Sequence, residues 1–199
     1  MNVRLQYTMN FTAGVHYHEQ MIMNNYMLKV FMITNTTVAE NTTIAFERLK
    51  YFIAELDSTV FVNSEEQLAC QKYVNAGIKI TTLPVDPVDQ IIGVMLFHKL
   101  NAIMEDRIIV GETELSSVLG DSMVYIHSEN ETADNLVIPE WWMTPDLVHC
   151  DTELIDNDKV LAIHQAGAWR ELDLGWIDTV QTDQTGNIVF ADFKRDETE

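Results

Sequence analysis

Hydrophobic and polar residues alternate one by one at the start of the chain. Val3, Leu5, Tyr7, Met9 and Phe11 are interleaved with Arg4, Gln6, Thr8, Asn10 and Thr12. This period of two predicts a strand with one buried face. Gly14 is read as its end. Between residues 15 and 25 neither the strand nor the helix period wins. Residues 26–34 (with Met27, Leu28, Val30, Phe31, Met32 and Ile33) predict a second strand. Asn41 or Thr42 is the expected cap of a helix whose core face is Ala45, Leu49, Phe52, Ile53 and Leu56. Val60-Phe61-Val62 reads as a short buried strand. Ser64-Glu65-Glu66-Gln67 has the spacing of a capping box, and the helix it starts is expected to stop at Gly77.

The centre of the pattern is residues 78–114. A β-branched strand over 78–83 leads through Pro84 and Pro87 into an apolar helix over 87–104, and residues 107–114 return as a strand. Asp86 is the expected N-cap, Pro87 the first helical residue, and Asp89 suits the positive end of the helix dipole. The apolar residues of this helix cover most of its circumference, which predicts burial on several sides. Gly93, unfavourable in a helix interior, predicts a close neighbour there. Residues 123–127 form one more strand after the Gly120-Asp121 turn.

Alternation of strand and helix from 26 to 114 predicts an α/β fold. The expected architecture is a mixed, mostly parallel central sheet with packed helices, over residues 1–128. The character changes near Ser128. Residues 129–199 are expected to form an irregular, Trp-rich, β-containing C-terminal extension. Its strands are placed at 160–164 and 188–193, with a hairpin turn at Gln184-Thr185-Gly186-Asn187 and fraying beyond Lys194. No internal repeat or low-complexity tract is present.

Composition narrows the function. Of the 199 residues, 47% are hydrophobic, enough for a sizeable core. The formal charge of -19 disfavours direct contact with a nucleic-acid backbone or an anionic membrane, since both need clustered cations. No apolar run reaches the length of a membrane span, and no secretory leader is read at the start. Cys70 and Cys150 are too few for a disulfide framework; Cys70 is read as a free buried thiol. The expected location is cytoplasmic.

Five segments carry a resemblance. They are Ile44-Ala45-Phe46-Glu47-Arg48-Leu49-Lys50-Tyr51-Phe52-Ile53, Thr59-Val60-Phe61-Val62-Asn63, Thr82-Leu83-Pro84, Asp89-Gln90-Ile91-Ile92-Gly93 and Lys99-Leu100-Asn101-Ala102-Ile103-Met104-Glu105. Over roughly the N-terminal two-thirds, the chain resembles uncharacterised proteins of T4-like, especially marine, tailed phages. The resemblance implies a viral protein made in host cytoplasm. It implies no activity and no functional residue.

Candidate chemistry is sparse. His16 and His18 would share one face of a strand, and imidazole suits transition metals; with nearby carboxylates they are the candidate metal ligands, though a third ligand is not identified. Asp86 and Asp89 lie where open α/β sheets bind ligands, but helix capping already explains them. His98 is read as a buried, hydrogen-bonded helix residue. His149-Cys150-Asp151 sets a thiol beside a base in sequence without a catalytic signature around it. The acids Asp151, Glu153, Asp156 and Asp158 lack the glycine and terminal glutamate of a calcium loop. Trp141, Trp142, Trp169 and Trp176 are the four tryptophans, all in the last third. Trp141 and Trp142 are the candidate partner-binding residues, with a core or subunit interface as the favoured setting.

The leading expectation is therefore a non-enzymatic viral accessory or assembly protein. It would act through protein–protein contacts with an unidentified partner and as a homo-oligomer, without a cofactor. A metal-dependent hydrolase built on His16, His18 and carboxylates is the first alternative. An acidic DNA mimic that inhibits a host nuclease is the second.

Overall fold

Two long strands form the spine of the fold, β1 (Arg4–Tyr17) and β2 (Gln20–Thr34), paired antiparallel along their whole length. The computed structural model describes residues 4–121, 123–129, 136–147 and 169–177. Among them follow α1 (Ala39–Leu56), β3 (Val60–Asn63), α2 (Gln67–Asn75), β4 (Ile80–Leu83), α3 (Asp89–Met104), β5 (Ile108–Ser117), β6 (Val124–Ser128) and the short α4 (Glu140–Met143). The six strands lie in one sheet in the order β4-β3-β1-β2-β5-β6.

The fold is α/β with a mixed sheet, as the alternation predicts, but the balance of directions differs. The β1–β3 and β3–β4 pairs are parallel; β1–β2, β2–β5 and β5–β6 are antiparallel. Two features the pattern hides cause this. Residues 15–25 are the closed end of a hairpin, not a connection. Its two-residue turn is His18-Glu19, both with positive φ (48° and 63°), the handedness that matches strand twist. Glycine or asparagine usually marks such a turn, and neither is present here. Second, α3 carries the chain from the β4 edge across to β5, on the far side of the hairpin. A helical crossover gives parallel neighbours where the next strand returns beside one of the same direction, as β3 does beside β1 and β4 beside β3.

Gly14 does not end β1. The strand runs through it, and a Cβ there would meet Val60 Cγ2 at 3.1 Å and Met21 Cγ at 3.3 Å, so its absence lets β3 approach closely. The expected side-chain caps are also replaced. Val38, Glu66 and Val88 occupy the N-caps of α1, α2 and α3, each without a side-chain cap bond. Asn41 instead exchanges two hydrogen bonds with the backbone of Ile177. Asn63, not Ser64, organises the entry to α2, its Oδ1 accepting from the Glu65 N–H, and its amide donates to Asp86. Gly77, at φ 72°, follows the α2 C-cap as expected.

The period-2 pattern sorts the two faces of the sheet. Phe11, Ala13 and Val15 of β1 and Tyr26, Leu28 and Val30 of β2 are buried in one core cluster with α1 and α3. All five core-face residues expected of α1 are buried. Helix α3 packs on β5, β6, α1 and α4, which explains its wide apolar surface. A buried Leu or Phe of this kind contributes about 1.5–3 kcal/mol over exposure. Helix α2 lies on the opposite face, over a smaller cluster of Val60, Val62, Cys70, Tyr73 and Ile80. The described part of the C-terminal region joins the main core through Trp141, Trp142, Leu147 and Trp169. The expected strands at 160–164 and 188–193, the turn at 184–187, the His149-Cys150-Asp151 triplet, the acidic run from Asp151 and the fraying end lie outside the described residues.

Candidate functional site

His16 and His18 stand at the closed end of the hairpin, and the strand pattern predicts them on one face. Only His16 is in the strand. It is buried on the face that α2 covers, and both its ring nitrogens are engaged. Nε2 lies 2.7 Å from a Glu66 carboxylate oxygen and Nδ1 lies 2.8 Å from the Tyr73 hydroxyl. The carboxylate can only accept, so Nε2 carries a proton toward Glu66. Burial, then the nearby Glu66 charge, pushes the Tyr73 phenol up. His18 sits in the turn, its ring 4.0 Å from that of Tyr17. Together with Glu19, Glu65, Lys72 and Asp86 these residues line an open cleft of about 730 Å³. Among the described residues no group of three or more His, Cys, Asp or Glu is placed to hold a metal ion.

The other candidates separate. Asp89 accepts a short hydrogen bond from the Ser117 hydroxyl at the β5 end of the sheet, while Asp86 faces Asn63. The two aspartates do not share a pocket. Cys70 is buried, and its thiol is pushed up by desolvation and then by Glu66, which makes it a poor nucleophile.

Trp141 and Trp142 are 5% and 0% exposed. Their rings meet edge to face at 6.1 Å inside the chain's own core, so neither offers a ring to a partner. What anchors them is a buried cation the sequence pattern did not mark. Lys99, fully buried on α3, donates to the carbonyls of Trp141, Thr144 and Asp146. Burial pushes its ammonium down to about 8, with Asp146 pulling the other way. A second such cation, Arg48 of α1, stands 3.9 Å from the ring centroid of Trp176 and 4.8 Å from that of Trp169. It donates to the carbonyls of Leu174 and Ile103 and to Glu105. A lone cation amid aromatic, apolar sequence is the signal that points to Lys99, because a buried charge must find acceptors; Arg48, between Glu47 and Lys50, carries no such signal.

Among the described residues, part of one sheet face has no helix over it. Helix α2 covers β3, β4 and the His16 end of β1 on its face, and among the described residues no helix covers the rest of that face on β1, β2, β5 and β6. Met27, Ile109, Val124 and Ile126 are 40–51% exposed there, with Phe31 and Ile33 half-buried beside them. The pairings Phe31–Glu112, Lys29–Glu114 and Ile33–Ile109 set these side chains on one face, and Lys29 and Glu114 form an ion pair of 2.6 Å. Among the described residues no helix is long and apolar enough to cross a membrane.

No protein-family model and no curated protein matches the chain. Among solved structures it is similar to 6-pyruvoyl tetrahydropterin synthase from Plasmodium vivax. That likeness covers 66% of this chain and 99% of the synthase, at 12% identity and a TM-score of 0.41.

Proposed function

We propose that this protein is an assembly protein that works by binding further copies of itself through the open face of β1, β2, β5 and β6. The observation that carries the reading is the set of apolar side chains Met27, Phe31, Ile33, Ile109, Val124 and Ile126 on a sheet face that no helix covers among the described residues. Lys29, Glu112, Glu114 and Ser116 are interleaved with these apolar residues, the mixed apolar and polar make-up of a protein–protein interface. The charge on the face selects the occupant. The chain carries -19 overall, yet on this face Arg4 and Lys29 balance Glu112 and Glu114. A second copy therefore meets no net repulsion there, and a two-fold contact can set each cation against a carboxylate. A strongly basic partner gains little from a balanced face. The setting we propose, a phage-infected bacterial cell, rests on the sequence segments that resemble phage proteins.

Size-exclusion chromatography with light scattering tests the reading. The expected mass at micromolar concentration is a multiple of 22.8 kDa. Ile126→Glu, at an exposed strand position, is expected to give a folded monomer. A wild-type protein that stays monomeric at all concentrations overturns the proposal. The metal-hydrolase alternative is not carried forward, because His16 already uses both ring nitrogens within the chain.

A further inference from the structure

A second concave site lies on the helical side of the sheet and reaches Ile109 and Ser128 at the sheet edge. It is a cavity of about 600 Å³ between α3, the start of β5, β6 and the segment 136–138, within the size range of small-molecule sites. Val94, Phe97, Val110, Leu136 and Ile138 give it apolar walls. His98 of α3 and His127 of β6 meet inside, ring centroids 5.9 Å apart. Phe97 stands edge-on to both, at 5.5 and 4.9 Å. Trp142 lies behind His98 at 6.4 Å, nearly parallel to it. Asn101 also lines the cavity, but its amide is engaged with Phe97 and Val110, where it ties α3 to β5.

Two buried polar side chains stand behind its wall, outside the lining. Thr113 Oγ1 and Trp142 Nε1 are buried without a hydrogen-bond partner. Thr113 is the cross-strand partner of His127, and Trp142 backs His98. Buried polar atoms are almost always paired, and an orphan costs about 1–3 kcal/mol. Both therefore flank the imidazole pair. Among the described residues the charged lining groups are Asp106 and Glu129, both exposed, and no Lys or Arg lines the cavity. Burial, and then His127, pushes His98 below its ordinary range, so at neutral pH it adds no compensating positive charge.

We propose that this cavity binds a small aromatic amine, its ring against Phe97, His98 and His127 and its ammonium at Asp106 and Glu129. An aromatic body suits edge-to-face and stacked contacts with these rings. The two carboxylates at the mouth, on a chain of net charge -19, select a cation and repel an anion. Two imidazoles fall short of a metal site, since no third ligand joins them among the described residues.

The test is a titration of the full chain with 2-phenylethylamine and with its near-isosteric anion, 3-phenylpropionate. It is followed by calorimetry and by NMR of the histidine rings. The amine is expected to bind and to shift the ring signals of His98 and His127, with the anion weaker by about tenfold or more. The double variant Asp106→Asn/Glu129→Gln, at exposed positions, is expected to erase that preference. Ile138→Trp, at the cavity wall, is expected to block the amine. Equal or tighter binding of 3-phenylpropionate overturns the proposal. So does amine binding that leaves both histidine signals unmoved, or no amine binding at millimolar concentration.

Discussion

Single residues show how far local pattern and packing diverge. Gly93 suggests a close neighbour in α3, yet a Cβ there would meet Leu115 Cβ at 3.7 Å, an ordinary contact. Nothing requires the glycine. Gly93→Ala is therefore expected to stabilise the fold by about 0.5–1 kcal/mol, read as a higher urea midpoint; a lower midpoint would show a hidden clash. His98 carries a pH dependence. Its pKa in the folded chain lies below the ordinary 6.5 because burial and His127 oppose its charge. As pH falls through 6.5 the unfolded chain takes up a proton that the folded chain resists, so stability drops until the folded group also protonates. Above 6.5 the group contributes no slope. Urea midpoints at pH 7.5, 6 and 5 are expected to fall less in His98→Gln than in wild type; identical slopes would remove His98 as a source of acid sensitivity.

At the scale of elements, the hairpin is the deciding unit. Its turn places His18 and Glu19 in left-handed backbone, which costs a residue with a Cβ roughly 1 kcal/mol each. His18→Asn/Glu19→Gly supplies the residues that the turn prefers. The double variant is expected to raise the thermal midpoint and to leave the His16–Tyr73 hydrogen bond in place, visible in the His16 ring signals. A lower midpoint would mean that His18 makes a contribution beyond the turn. The helix faces were legible because each needs only its own 3.6-residue period: Ala45, Leu49, Phe52, Ile53 and Leu56 are all buried. The caps were not. A capping residue is defined by where its side chain turns, and Asn41 turns to Ile177, far along the chain.

For the whole molecule, Arg48 joins what the sequence separates. It binds residue 174 from α1 and lies between two tryptophan rings, while Arg107 stands 4.9 Å from the same Trp176 ring. Arg48→Met keeps an apolar stem but removes the donors to Leu174, Ile103 and Glu105. Glu105 keeps Arg107, but losing the donors to the Leu174 and Ile103 carbonyls is expected to cost roughly 2–4 kcal/mol. Tryptophan emission should shift to the red as Trp169 and Trp176 lose their cover. Unchanged emission with full stability would show that segment 169–177 is held by other contacts.

The sequence by itself determined what is periodic and what is summed. It marked the alternating strand, the core stripes of α1 and α3, the order of strands and helices, and a charge that disfavours nucleic acid. These depend on neighbours a few residues apart or on the whole chain at once. Tertiary structure alone decided the hairpin pairing, the crossing of α3 to the far side of the sheet, the burial of Lys99 and Arg48, and the meeting of His98 with His127. Each of these brings together residues distant in the chain. Their cost or gain exists only once burial removes water and each polar group must find its partner inside.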